Sequence, residues 1–155
     1  MPQMNRGGKF IFGKSLLRED LTINLPTQAI SEYDITSEGK VYLISGSKTT
    51  GGFVVTRKGL LYPSKIGNIL KDTPQLCNYK LQEGQFVKYK GRLYCWMHIS
   101  ENGTIKLTHK ILETLDISIG MELLSIRSSD IAFVMGAKGP LLEKAHNFKG
   151  TLEVF

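Results

Sequence analysis

Short alternations of apolar and polar residues divide this chain into strand-length segments. In residues 21–25, Leu21, Ile23 and Leu25 alternate with polar residues, and a period of two is typical of a half-buried strand. Pro26 follows and suits the opening of a helix, which the apolar spacing predicts over 27–33. The first half of the chain thus predicts four strands and one helix. The strands are 10–17, 21–25, 41–45 and 52–57.

The same order of elements occurs a second time. Residues 22–25 match 104–107 at an offset of 82, and residues 53–61 match 133–141 at an offset of 80. The latter pair has five identities in nine positions, whereas average residue usage gives about one in fifteen. An internal repeat of this kind indicates two copies of one structural unit. The second copy predicts a helix at 108–115 and strands at 92–99, 104–107, 123–127 and 131–137.

The repeat sets the domain organisation that we expect. The 155 residues form one domain, with repeat one at 9–61, a connector at 62–90 and repeat two at 91–141, followed by a C-terminal helix and tail at 142–155. The connector is too long for a bare loop in a compact domain. It predicts a helix at 64–71 and a strand at 85–89, packed on the outside.

Charge is distributed unevenly along the chain. Basic residues outnumber acidic ones by 8 to 5 in residues 1–61 and by 5 to 2 in 62–90, and the counts are 7 and 7 from residue 91 onward. The net charge of +6 permits binding to a polyanion such as nucleic acid, and scattered surface lysines explain it equally well. Charge alone therefore does not choose a partner.

The candidate reactive residues form no catalytic or metal-binding pattern. Cys77 and Cys95 are 18 positions apart, and no His or Cys stands at metal-ligand spacing from another. We therefore expect no enzyme activity, no metal and no other cofactor, with both thiols reduced. No apolar run has the length of a signal peptide or membrane span, so the sequence predicts a cytoplasmic protein without a membrane partner.

Both repeats contain the same short motif around their second strand and helix. In repeat one it is Thr22-Ile23-Asn24-Leu25-Pro26, a short helix, Asp34-Ile35 and Gly39, and in repeat two it is Gly103-Thr104-Ile105-Lys106-Leu107, Asp116-Ile117 and Gly120. This motif resembles that of the AbrB/SpoVT swapped-hairpin family. The resemblance implies a mainly β fold with short helices, in which two ββαββ repeats of one chain form a pseudo-twofold swapped-hairpin barrel. Because two such modules complete each other, the resemblance also implies a monomer with internal pseudo-twofold symmetry.

Most members that this module resembles are bacterial or archaeal transcription regulators that bind double-stranded DNA through basic residues on the first hairpins and helix starts. This chain has Thr22 and Thr104 where those members place an arginine. The remaining basic candidates for DNA binding on these elements are Lys14, Arg18, Lys106, His109 and Lys110.

Two alternatives stay open on the same sequence. One is a non-enzymatic protein-interaction or structural module that has lost DNA binding and contacts a protein partner through residues 62–90. The other concerns the aromatic and basic stretch around Tyr89, Tyr94 and Trp96. These residues fit either stacking against single-stranded bases or ordinary half-buried strand positions.

Overall fold

A computed structural model describes residues 10–139, 142 and 153–155 of the chain. Repeat one has the predicted order of two strands, a helix and two strands. Its elements are β1 (Ile11–Leu16), β2 (Thr22–Asn24), α1 (Thr27–Tyr33), β3 (Lys40–Ser45) and β4 (Phe53–Thr56).

The connector is built of shorter helices than the sequence predicts. It follows α2 (Lys58–Leu61) and contains α3 (Asn68–Asp72), α4 (Pro74–Cys77) and β5 (Val87–Tyr89). The predicted helix at 64–71 is wrong in its first turn. Ser64 Oγ donates to the carbonyl oxygen of Leu61 and accepts from the amide of Ile66, and such local side-chain bonds favour turns over helix. The strand predicted at 85–89 is confirmed in its last three residues.

Repeat two has the same plan as repeat one. Its elements are β6 (Arg92–His98), β7 (Thr104–Lys106), α5 (His109–Leu115), β8 (Glu122–Arg127) and β9 (Phe133–Gly136). The two longer helices end alike, because Asp34 after α1 and Asp116 after α5 both adopt the left-handed conformation with φ of 50° and 54°. Aspartate tolerates this conformation better than most residues. The protein is therefore mainly β with short helices, as the sequence predicts.

The strands of the described residues form two antiparallel sheets. Seven strands lie in the order β1-β8-β9-β4-β3-β6-β5, and β2 and β7 form a separate pair, which we call the ribbon. The β3–β4 hairpin of repeat one pairs with β6 of repeat two, and the β8–β9 hairpin of repeat two pairs with β1 of repeat one. Each repeat thus completes the sheet of the other.

The pairing registers place the equivalent residues of the two repeats opposite each other. Ile23 lies opposite Ile105 in the ribbon, and Val54 lies opposite Val134 where β4 meets β9. These are the same pairs that the offsets of 82 and 80 align in the sequence. Six strands of the large sheet and the ribbon are therefore arranged with a pseudo-twofold axis, whereas β5 has no counterpart within residues 10–139.

The large sheet is open rather than closed into a barrel in the described part of the chain. Its edge at β1 is lined by residues 153–155, where the amide of Lys14 donates to Glu153 O (2.9 Å) and the amide of Phe155 donates to Lys14 O (2.7 Å). Most of the C-terminal helix and tail predicted at 142–155 lies outside the described residues. In the described ranges, no helix has the length and apolarity needed to cross a membrane.

Apolar side chains pack on both faces of the large sheet. The central core lies between one face of the large sheet and the ribbon with α1 and α5. It includes Phe12, Leu43, Phe133 and the ribbon residues Ile23 and Ile105. We call the opposite face the outer face. Half of it is covered by the connector, and the other half carries a small cluster of Ile11, Leu124 and Ile126 with Leu142 against it.

The connector packs through aromatic side chains. Trp96 and Tyr94 are buried in a cluster with Leu61 of α2 and with Ile69 and Leu70 of the connector helix α3. Trp96 Nε1 donates to the carbonyl oxygen of Leu81 at 2.7 Å, so the buried indole N–H has a hydrogen-bond partner in the connector. For these two aromatics the buried-strand alternative is confirmed.

Candidate nucleic-acid interface

The ribbon separates an apolar face from a polar one. Ile23 and Ile105 at its centre are fully buried against the central core. Because side chains alternate along a strand, the flanking ribbon residues project away from the core. These are Thr22 and Asn24 on β2 and Thr104 and Lys106 on β7.

Arg18 belongs to this polar face through a hydrogen-bonded chain. With its amide oriented to satisfy both neighbours, Asn24 accepts from the Arg18 guanidinium at 2.8 and 2.9 Å and donates to Thr104 Oγ1 at 2.6 Å. A backbone hydrogen bond also fixes the position of Arg18, because its amide donates to Thr22 O at 3.0 Å. The guanidinium is therefore held at one end of the ribbon.

Lys106 marks the other end of the same face. It is exposed and lies opposite Thr22 in the β2–β7 register. Thr22 in turn donates to the Asp20 carboxylate, through Oγ1 at 2.6 Å and through its amide at 3.1 Å. These two hydrogen bonds lower the pKa of Asp20 below its ordinary value. The ribbon therefore carries an aspartate charge as well as the two basic side chains.

The start of α5 adds two basic side chains next to β7. Thr108 caps the helix by accepting from the amide of Ile111 at 3.1 Å, which leaves His109 and Lys110 in the exposed first turn. The equivalent residues of α1 are the uncharged Thr27 and Gln28. The basic surface is therefore stronger on the repeat-two side, and it does not follow the pseudo-twofold symmetry of the backbone.

Lys110 also lines an open cavity of about 710 Å³ between α5 and the connector. The cavity walls include Glu83, Gln85 and Phe86. A carboxylate therefore lies in the same cavity as Lys110.

Lys14 is not brought together with the other predicted residues. It lies on β1 opposite Leu124, whose side chain belongs to the cluster on the outer face, whereas the ribbon covers the central core. Its ammonium group is 3.8 Å from the Glu122 carboxylate. The structure thus groups Arg18, Lys106, His109 and Lys110 around the ribbon and leaves Lys14 on the other side of the sheet.

The histidine and cysteine residues form no composite site in the described part of the chain. His98 Nδ1 lies 2.9 Å from Glu83 Oε1 on the exposed edge of β6, and the His98 amide donates to the same carboxylate. No group of three or more His, Cys, Asp or Glu side chains within residues 10–139, 142 and 153–155 could hold a metal ion.

Two residues of this surface are missed by the basic-residue pattern. Asp20 binds the ribbon through Thr22, and Asn24 fixes Arg18. An Asp two positions before a Thr is a signal for an Asx-type turn, so Asp20 could have been found from local chemistry. The Asn24–Arg18 contact depends on the geometry of the turn between β1 and β2. The positions of basic residues in the sequence do not predict that geometry.

No protein-family model matches the chain, and no curated protein matches it.

Proposed function

We propose that this protein is a DNA-binding regulator resembling the AbrB/SpoVT group, with two swapped-hairpin modules joined in one cytoplasmic chain. The exchange of hairpins between the repeats supports this proposal, because β3–β4 pairs with β6 and β8–β9 pairs with β1. The two-repeat arrangement would supply within one molecule what relatives of this type obtain from two. We therefore also propose a monomer.

The observation that carries the functional proposal is the polar ribbon with basic side chains around it. A two-stranded β-ribbon fits the major groove of B-DNA. Here Arg18 and Lys106 lie at the two ends of the ribbon, and His109 and Lys110 begin the helix that follows β7. Lysine and arginine on such a surface neutralise phosphates and release counterions, which makes the affinity depend on salt.

The asymmetry of the basic side chains leads us to propose a non-palindromic mode of binding. Asn24 in repeat one stands where repeat two has Lys106, and Gln28 stands where repeat two has Lys110. A symmetric protein surface matches a symmetric operator. With its phosphate contacts concentrated on one half, this protein would bind one half-site or bind DNA with little sequence preference.

The test is fluorescence anisotropy of a labelled duplex of mixed sequence, titrated with protein over a salt series. With about three phosphate contacts, the slope of log affinity against log salt is about −3. The double variant Lys106→Glu/Lys110→Glu should weaken binding at least about tenfold and reduce the slope by about 2. The control is Lys48→Glu/Lys80→Glu, which changes the net charge equally at exposed positions away from the ribbon.

Two results would contradict the proposal. An equal loss in both double variants would mean that only net charge matters, and no binding by the unaltered protein at low salt would remove DNA binding altogether. The latter result would favour the alternative of a protein-interaction module that uses residues 62–90. Light scattering tests the monomer separately, since an obligate dimer held by hairpins exchanged between chains would contradict repeats that complete each other within one chain.

A further inference from the structure

An open cleft of about 470 Å³ lies on the outer face, away from the ribbon. One wall comes from the connector, through Lys65 and Asn68, and the opposite wall comes from the β8–β9 turn, through Ser128 and Ser129. Its volume is within the range of about 300–1,000 Å³ that small-molecule sites occupy.

The cleft has an apolar floor and a basic rim. The floor is apolar and includes Ile44 of β3, Val54 of β4, Leu61 of α2 and Ile131 of the β8–β9 turn. The rim carries the exposed cations Lys65, Lys90 and Arg92. Among the described residues, no aspartate or glutamate lines the cleft. Three cations without a carboxylate between them give a site for an anion of more than one charge.

The basic rim is positioned by the β5–β6 hairpin. Tyr89 lies opposite Arg92 in the strand register, and the two-residue turn between them, Lys90 and Gly91, has φ of 48° and 83°. Positive φ at both positions is the signature of a tight turn that keeps the flanking strands in register. This hairpin therefore brings two of the three cations to the cleft.

Tyr89 supplies an aromatic wall whose position is fixed. Its hydroxyl donates to Asp72 Oδ2 at 2.5 Å, and its ring packs edge-on against Tyr94 with centroids 6.3 Å apart. The hydrogen bond to the carboxylate raises the pKa of the Tyr89 hydroxyl above its ordinary value. Both tyrosines line the cleft. An aromatic face beside an apolar floor suits a planar ring better than a polyol.

We propose that this cleft binds a mononucleotide. The phosphate lies at the rim formed by Lys65, Lys90 and Arg92, and the base lies against Tyr89 and the apolar floor. Arginine offers a planar fork to two phosphate oxygens, and lysine binds phosphate as a point charge. Ser128, Ser129 and Asn68 provide polar groups for the sugar and the base edge.

Isothermal titration calorimetry of the full-length protein tests this proposal with AMP, GMP, CMP and UMP, and with adenosine and inorganic phosphate as partial probes. We expect one site for at least one mononucleotide. Adenosine and phosphate should each bind at least about tenfold more weakly than that nucleotide, since each keeps only part of the interaction. Preference for one base would identify the ligand within the class.

The variant pair that localises the site is Arg92→Gln and Lys88→Gln. Arg92 is exposed and lines the cleft, whereas Lys88 is exposed on β5 and does not line it. Arg92→Gln should weaken nucleotide binding at least about tenfold, and Lys88→Gln should change it by less than about twofold. Because both side chains are exposed, both variants should keep the circular dichroism spectrum and melting temperature of the unaltered protein.

Three results would overturn the proposal. They are no heat with any of the four nucleotides, phosphate binding as tight as nucleotide binding, and equal effects of the two substitutions. Nucleotide binding can be tested independently of DNA binding, because the Lys106→Glu/Lys110→Glu variant leaves this cleft unchanged. It should therefore bind the nucleotide as the unaltered protein does.

Discussion

Two serine hydroxyl groups lie in the central core without a hydrogen-bond partner. Ser15 on β1 and Ser125 on β8 are fully buried, and neither Oγ has a partner within the described residues. The pseudo-twofold axis matches Ser15 with Met97 and Ser125 with Leu43, both of them in the same core. One half of the core therefore holds hydroxyls where the other half holds apolar side chains.

Replacing either serine by alanine should stabilise the protein. An unsatisfied buried hydroxyl costs about 1–3 kcal/mol, and removing one oxygen atom leaves little new space, so we expect a gain of about 1 kcal/mol for each site. For a chain of this size, each gain corresponds to a rise in melting temperature of roughly 2–4 °C. The double variant should show about the sum of the two effects.

The matched control is a buried hydroxyl that has a partner. Thr56 is also fully buried, and its Oγ1 donates to the carbonyl oxygen of Ile131 at 2.6 Å. Thr56→Val keeps the shape and should lower the free energy of unfolding by about 1 kcal/mol. Urea unfolding followed by circular dichroism measures all the variants. The reasoning would be refuted if Ser15→Ala and Ser125→Ala destabilised the protein with strong coupling between them. That result would mean that a buried water forms hydrogen bonds with both serine hydroxyls.

Four further outcomes follow from the structure. Burial raises the pKa of the Cys95 thiol from 9.0 to about 12, so a thiol reagent at pH 9 should label half-buried Cys77 in the folded protein and Cys95 only after unfolding. The unfolded chain releases the Cys95 proton near pH 9, so this group's contribution to stability falls as the pH rises from about 9 towards 12. Gly52→Ala should lower the free energy of unfolding in urea by at least about 2 kcal/mol, because φ is +62° and a Cβ would overlap β9. Its control is Gly91→Ala, which has positive φ but open space around the Cβ position and should lower the free energy of unfolding by about 1 kcal/mol. Deleting residues 153–155 removes backbone hydrogen bonds to β1 and should lower stability by about 2 kcal/mol, and an unchanged midpoint would contradict that pairing.

Much of the fold can be read from local pattern. Short apolar segments bounded by turn residues, with clear alternation at 21–25, predict the eight strands inside the repeats, and Pro26 and Thr108 mark the starts of α1 and α5. The connector is harder to predict because its helices are only four or five residues long. Helices this short depend on packing against the sheet, and the turn at Ser64 that precedes α3 depends on local side-chain bonds, so periodicity over a window cannot find them.

The sequence predicts the grouping of residues at the ribbon better than it predicts the cleft. Lys106, His109 and Lys110 are close in sequence, and their grouping at the ribbon follows from one strand and the helix after it. Lys14 has the right residue type on a neighbouring strand, yet the pleat directs it to the outer face. The cleft on that face joins the connector, β6 and the β8–β9 turn, and no local signal links these segments.

The sequence by itself determined the repeat, the order of the elements and the alternation of buried and exposed positions, because these depend on neighbouring residues and on the geometry of single strands and helices. Only the tertiary structure decided that each repeat completes the other's sheet and that Arg18 is fixed by Asn24. It also decided that the connector covers one half of the outer face, whereas the other half carries the cluster of Ile11, Leu124 and Ile126. The physical reason is that long-range strand pairing and burial are settled by the whole apolar surface at once, and identical local patterns are compatible with more than one such arrangement.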